Sequence, residues 1–314
     1  MKNLIYSGPH GGVATIKKLL ANKFEIIPVK PTPEDLYPAF EKCFVFFDAS
    51  MKVPITADLI DRAHNLELVI TATTGATHID LAALNSRSIP LLTLADQKSK
   101  LRDITAAAEH SWLLLMSCAR RLRGAINQVH EQKWNRVEFP GIMLKGKTLG
   151  VIGLGRIGSW MARYATAFGM NVLGHDPYID NPPPGVQSVD LKQLVKRSDF
   201  VSLHVNFTEQ TRGMINKSLL ADFKPGSIFI NTSRGELVEE EALVEQLRTG
   251  RISAAGVDVL SGEPDIANNP LWQHAKNNDN LIITPHIGGF CPEAVDMVIE
   301  LSCKRIINFF GSRI

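Results

Sequence analysis

Short apolar, β-branched runs alternate with segments of helical hydrophobic spacing along almost the whole chain. That is the pattern of parallel strands joined by crossover helices. In the first hundred residues, strands are expected at 3–6, 24–29, 43–47, 68–72 and 90–94, with helices at about 13–21, 56–64 and 81–85. A polar stretch with Lys98, Lys100 and Arg102 then marks a crossover, and one long helical pattern follows from 104 to about 135. Its Ala106, Ala107, Ala108, Leu113, Leu114 and Met116 fall on buried faces, while Arg120, Arg121 and Arg123 suit a helix C-terminal region. Strands are expected again at 148–152, 171–174, 200–205, 227–231, 253–259 and 281–283, separated by helices at about 191–197, 217–223 and 239–247. The amphipathic segment 292–310 is too short for a domain and is expected to pack back on the first lobe. The fold class is therefore α/β, with two doubly wound parallel-sheet lobes. A first lobe of 1–100 with 287–314 is interrupted by a second of 101–286.

The stretch 147–176 adds chemistry to this pattern. The strand at 148–152 runs into Gly153, Gly155 and Gly158 in G-x-G-x-x-G spacing, and Trp160, Met161, Tyr164, Ala165 and Phe168 continue at helical spacing. Gly153 permits the tight turn, Gly155 lets backbone approach a pyrophosphate, and Gly158 lets the helix pack close to the strand. The helix N-terminus favours the anion. The next strand ends at Asp176, close to the roughly 20 residues beyond the glycines at which an acid accepts ribose hydroxyls. Pro177 and Tyr178 follow, with no Arg or Lys beside the acid, so a ribose 2′-phosphate would meet an uncompensated carboxylate. NAD is expected rather than NADP. Glycine triplets occur by chance, and it is the strand before, the helix after and the terminal acid that make this one a Rossmann site. Gly8, Gly11 and Gly12 lack that spacing and read as a turn.

Composition narrows the partners. A net charge of +2 over 314 residues, with 21% charged and 45% hydrophobic, gives no basic field for nucleic acid. The apolar run 112–119, flanked by Glu109 and Arg120, is well short of the roughly 18 residues a membrane span needs. Lys17 and Lys18 interrupt the only apolar N-terminal region, so no signal peptide is expected. Cys43, Cys118, Cys291 and Cys303 are scattered without C-x-x-C spacing, which suits reduced thiols, a cytoplasmic setting and no bound metal.

Ligands of open α/β sheets bind beyond the carboxyl ends of the strands. The second lobe's strands end at Asp176, His204, Ser233 with Arg234, Asp258 and His286, which should share one crevice. Arg234 can fork onto a substrate carboxylate. His286 can give or take the proton on a reacting oxygen, and Glu263 can accept a bond from its other ring nitrogen. Singly, each has a blander reading: a loop charge, an exposed turn acid before proline, a helix-cap histidine.

These residues stand in longer motifs that resemble the D-isomer-specific 2-hydroxyacid dehydrogenases: VIGLGRIG with Asp176, TEQTRGMIN, FKPGSIFINTSRGELVEEEAL, AAGVDVLSGEP, NPLW and TPHIGG, in order across nearly the whole second lobe. The resemblance implies a Rossmann NAD-binding domain inserted in a flavodoxin-like substrate domain. It implies that Arg234 binds the substrate carboxylate, that His286 is the acid/base and that Glu263 supports it. Arg156 and Ile157 would sit on the pyrophosphate, Asp176 on the adenosine ribose and Asp258 on the nicotinamide amide, with His204 and Thr232 lining the cofactor cleft. Backbone N–H groups at Thr74 and Gly75 would meet the substrate carboxylate. A homodimer through the second lobe, with AAAEHSWLLLMSCAR contributing, is further implied.

The implied activity is hydride transfer between NAD and a small anionic 2-oxo or 2-hydroxy acid of glyoxylate/hydroxypyruvate, phosphoglycerate or lactate type. Formate chemistry is disfavoured because Gln usually takes the place of Glu263. An NAD(H)-sensing binding protein of corepressor type is the alternative. The first lobe departs from the family pattern, with TTGATHID where G-A-G-x-D-x-I-D is usual, KSKLRDI in an unusual segment, and Asn206 where proline is common. The natural substrate depends on 73–77 and 98–102. No regulatory domain is expected after Ile314.

Overall fold

The structure, a computed structural model, describes residues 1–311. It divides into two units, Met1–Ile104 with the chain from Cys291 on, and Thr105–Phe290. The first contains β1 (Lys2–Ser7), α1 (Gly12–Leu20), β2 (Phe24–Val29), α2 (Pro33–Phe40), β3 (Val45–Asp48), α3 (Ala57–Arg62), β4 (Leu68–Thr71), α4 (Leu81–Ser86) and β5 (Leu91–Leu92). Its sheet is parallel throughout, in the order β2-β1-β3-β4-β5, the flavodoxin-like arrangement. The two-residue period of a strand divides its core between two faces. Leu4 and Tyr6 pack with Ile16, Leu20 and Phe24 on one face, while Ile5 packs with Leu36, Phe40, Leu59 and Ile60 on the other. β3 and β4 are buried along their whole length, so their side chains form apolar runs and not an alternation.

The second unit begins with α5 (Ala106–Ala119) and α6 (Leu122–His130) and continues through β6 (Thr148–Ile152), α7 (Arg156–Ala167), β7 (Asn171–His175), β8 (Val186–Ser188), α8 (Leu191–Arg197), β9 (Phe200–Leu203), α9 (Lys217–Ala221), β10 (Ser227–Asn231), α10 (Glu240–Thr249), β11 (Ile252–Val257), α11 (Pro270–Ala275) and β12 (Leu281–Ile283). The sheet order is β12-β11-β10-β9-β6-β7-β8, again parallel. Counted from β6, this is the 3-2-1-4-5-6 Rossmann order with a seventh strand beyond the sixth. The order reverses between β6 and β9, where this fold opens a ligand crevice. The last helix, α12 (Pro292–Phe310), belongs to the first unit and packs on α1, burying Ile299, Cys303, Ile306 and Phe310 in the face that holds Leu4 and Tyr6.

The structure departs from the sequence reading at 104–135, where one helical pattern becomes two helices. Arg121 adopts left-handed backbone, φ +49°, between α5 and α6. The apolar spacing runs on through the break, which is why periodicity misses it. The two helices differ in kind: α5 buries Ser111, Leu114, Leu115, Cys118 and Ala119, whereas α6 buries only Gly124 and Gln128. Three short elements also escape the pattern. α2 carries Pro33 and Pro38 but is nucleated by Thr32, whose hydroxyl accepts the Asp35 N–H. α11 is started by Asn269, and β8 has three residues of which one is buried.

Candidate active site

The glycine turn after β6 has the backbone its spacing demands. Gly153 has φ +87°, and a Cβ there would lie 2.5 Å from the carbonyl oxygen of His204. At Gly158 a Cβ would come within 1.9 Å of the Gly153 carbonyl oxygen, so helix and turn touch through bare backbone. Gly155 is different, since nothing lies within 4 Å of its Cβ position. That open cradle faces the first turn of α7, beginning at Arg156 and Ile157, where helical N–H groups lack intrahelical partners. The Asp176 carboxylate accepts the N–H of Leu154 at 2.9 Å and of Tyr178 at 3.0 Å, which locks the end of β7 to the turn. Burial lowers the Arg156 guanidinium from its ordinary value, and it remains a cation. The turn thus fits a dinucleotide: space at Gly155, donors at the start of α7, and an acid beside them.

Beyond β9, the His204 N–H donates to the Ile152 carbonyl at 2.7 Å and its Nε2 meets Ser202 Oγ at 2.7 Å. Its Nδ1 is buried with no partner among the described residues, and burial pushes the ring down to about 3, so it is neutral near pH 7. Beyond β10, Thr232 Oγ1 lies 2.7 Å from Ser111 Oγ on α5. Asn231 shapes the turn that follows, accepting the Ser233 N–H and donating to the Arg234 carbonyl, each at 2.9 Å. The Arg234 side chain is half-exposed, with Nη1 on the Ser233 carbonyl at 2.7 Å. This leaves other guanidinium donors for a carboxylate.

The densest hydrogen bonding is around Asp258. This buried carboxylate accepts from Thr284 Oγ1 at 2.5 Å, the Ile287 N–H at 3.0 Å and the Gly288 N–H at 2.8 Å, with His110 Nε2 at 3.3 Å. Burial raises its pKa, but the bonds from His110, Thr284, Ile287 and Gly288 outweigh that and hold it below the usual carboxylate range. The Asp258 carbonyl accepts the His286 N–H at 2.9 Å as well. One residue therefore pins both sides of His286, whose own backbone is left-handed, φ +55°. From that position His286 Nδ1 is hydrogen-bonded to Glu263 Oε1, and Glu263 Oε2 accepts the Leu260 N–H at 3.1 Å. An acceptor-only carboxylate on Nδ1 makes that nitrogen the N–H and leaves Nε2 as the working nitrogen.

The structure thus brings His286 to Glu263, Asp258 to the His286 segment, Asp176 to the glycine turn and Gly153 to His204. Among the described residues Arg234 has no hydrogen bond to His286 or Glu263. It is joined through Gly235, where a Cβ would lie 2.1 Å from the Ser261 nitrogen. Thr74 and Gly75 belong to the first unit, where the Thr73 hydroxyl meets Thr71 Oγ1 at 2.8 Å and donates to the Gly75 carbonyl. Sequence reasoning missed His110, Ser111 and Thr284, which hold Asp258 and Thr232. It also missed Asn231. Asn231, three residues from Arg234 in the NTSRG motif, and Thr284, two residues from His286 in TPHIGG, carried a local signal, whereas His110 and Ser111 carried none.

Among the described residues, no group of three or more His, Cys, Asp or Glu could hold a metal, and no helix is long and apolar enough to cross a membrane. Residues 112–288 match the family described as "D-isomer specific 2-hydroxyacid dehydrogenase, NAD binding domain". The chain is 38% identical over 258 residues to a hydroxypyruvate reductase of Thermotoga maritima, covering 82% of each. It is 40% identical over 261 residues to a D-3-phosphoglycerate dehydrogenase of Methanocaldococcus jannaschii, covering 81% of this chain but 48% of that protein, so it spans about half of that relative's length. Among solved structures, D-lactate dehydrogenase of Aquifex aeolicus complexed with NAD and lactic acid is similar with a TM-score of 0.82 at 27% identity, covering 98% of this chain and 95% of that one.

Proposed function

The chain belongs to the D-isomer-specific 2-hydroxyacid dehydrogenases and its second unit is an NAD-binding domain, and from that premise we propose that it interconverts a small 2-oxo acid and its D-2-hydroxy acid. NAD, when bound, supplies or accepts the hydride. The Arg234 guanidinium pairs with the substrate carboxylate, assisted by backbone N–H groups at Thr74 and Gly75. His286 protonates the substrate oxygen from Nε2 during reduction and takes the proton back in the other direction. Glu263 fixes the ring that does so, and Asp258 fixes the segment that carries the ring while lying where the nicotinamide amide is expected. Arg156 and Ile157 take the pyrophosphate, Asp176 the adenosine ribose, and His204 and Thr232 line the same cleft.

One observation carries the reading: the His286 to Glu263 hydrogen bond, on a segment locked to Asp258. A histidine oriented by a carboxylate at the carboxyl ends of the strands is what acid/base chemistry needs and what binding a dinucleotide alone does not. The test is oxidation of NADH and NADPH, followed by cofactor absorbance, with glyoxylate, hydroxypyruvate, pyruvate and phosphohydroxypyruvate. NADH turnover is expected with at least one of them, and NADPH turnover is expected to be lower because of Asp176. Arg234→Ala should raise KM for the 2-oxo acid, and His286→Ala should lower kcat by about two to four orders of magnitude. No turnover with any acid, together with NADH-dependent capture of another protein, would instead make this a dinucleotide sensor of corepressor type.

We further propose a cytoplasmic homodimer. Four unpaired cysteines suit a reducing compartment. The apolar side chains left exposed on α6 and the segment after it suit a second copy of the chain.

A further inference from the structure

Glu240, the first residue of α10, is 5% exposed and touches none of the groups assigned above to substrate or cofactor. One carboxylate oxygen accepts the Ser261 N–H at 2.8 Å and the other accepts Asn269 Nδ2 at 2.5 Å. Asn269 Nδ2 donates in turn to the Ser261 carbonyl at 3.2 Å, while its Oδ1 caps α11 through the N–H groups of Leu271 and Trp272. Both backbone groups of Ser261 are thus held by one buried pair of side chains. Ser261 lies two residues before Glu263, in the segment whose Leu260 N–H is bonded to Glu263. The same segment lies on the bare backbone of Gly235, next to Arg234.

We propose that Glu240 is a positioning residue: through Ser261 and Asn269 it sets the Leu260 to Glu263 segment against Gly235, and so places the Glu263 carboxylate on His286. The inference rests on the acid/base role given to His286 above. A side chain that only filled this space would be apolar, because a buried carboxyl costs stability. The acidity of Glu240 shows that cost. Burial pushes it up to about 7, with Glu241 and Glu236 adding to the effect, against the two N–H donors that lower it. The N-terminal end of α10 favours the charged form needed to accept both bonds.

The test is Glu240→Gln, which keeps the volume but turns an amide N–H towards one of two donors. Expected is a kcat lowered about tenfold with KM for NADH within about twofold, since the glycine turn is untouched. In a Glu263→Gln background the same substitution should change kcat by less than about twofold, because its effect runs through Glu263. A readout independent of turnover is the downfield Nδ1–H proton resonance of His286 in its bond to Glu263, which should shift or broaden in folded Glu240→Gln. Asn269→Ser, which keeps a cap oxygen but takes away the amide Nδ2 that bridges Glu240 and the Ser261 carbonyl, should move that resonance in the same direction and serves if Glu240→Gln fails to fold. An undiminished loss of kcat in the Glu263→Gln background, or an unchanged His286 resonance in the folded variants, overturns the proposal. If the wild-type protein turns over no 2-oxo acid, the functional reading fails separately, and the resonance alone decides the role of Glu240.

Discussion

The left-handed backbone of His286 costs on the order of 1 kcal/mol for a side chain with a Cβ, and Asp258 is where that cost is met. Its carbonyl and carboxylate together engage three consecutive N–H groups, those of His286, Ile287 and Gly288. Because the carboxyl is held below the usual carboxylate range, it contributes stability that is complete above its unfolded pKa, about 4, and is lost as pH falls below that. Asp258→Asn should therefore cost about 1–3 kcal/mol near neutral pH, by leaving buried donors poorly matched. It should also flatten the fall in unfolding free energy below about pH 4, measured by denaturant titration at several pH values. An unchanged slope would mean that Asp258 is not the group responsible. At this scale the sequence was readable where a motif fixes the spacing, as at Gly153, Gly155, Gly158 and Asp176, which meet in one turn, or at Glu263 and His286, which meet each other. It was silent on the partners His110 and Ser111, because their bonds to Thr284 and Thr232 span 174 and 121 residues and no local pattern announces them.

Elements were readable where an apolar run or stripe marks them. β2, β6, α8, β10, β12 and α12 have the bounds that periodicity gives, since each presents a continuous apolar stripe or run. What periodicity cannot see is a break with no change in spacing, such as Arg121, or an element made by its cap, such as α2 or α11. Helix α12 shows the other side of that rule: its stripe states that it is buried but not against what. Ile299 is fully buried between α12 and α1, and its Cδ1 lies 2.2 Å from where a Cβ on Gly12 would be. The two helices can approach this closely because residue 12 has no side chain. Ile299→Ala should destabilise the first unit by about 2–5 kcal/mol, the range for a buried large-to-small change. The measurement is chemical unfolding read by hydrogen exchange at β1 and β3, where protection should fall more than at β6 and β9 in the second unit. Equal loss in both units would argue against α12 acting as part of the first alone.

For the whole molecule, the question is what covers the apolar side chains that the chain itself leaves in water. α6 is the clearest case: Leu122, Ile126 and Val129, at spacings of four and three, lie on one helix face and are each more than two-fifths exposed, while the opposite face buries Gly124 and Gln128. Trp134 is 90% exposed and Val137 79% a few residues on. Scattered exposed apolar residues are ordinary, but a helix stripe continued by a tryptophan is the composition of an interface core, where aromatic anchors carry most of the binding energy. A second copy of the chain is the partner proposed for it, and a two-fold interface would place the same stripe on both sides. The wild-type protein should then sediment at twice its 34.6 kDa chain mass. Ile126→Glu with Val129→Arg should weaken the dimer at least about tenfold, since each buries a charge in the contact, while circular dichroism stays unchanged because both side chains already face solvent in the single chain. Because α6 follows α5, which carries His110 and Ser111 to Asp258 and Thr232, a dimer formed through this face would brace the helix that holds those two residues. A wild-type protein that sediments as one chain at micromolar concentration would leave the stripe without this partner and remove the dimer from the account.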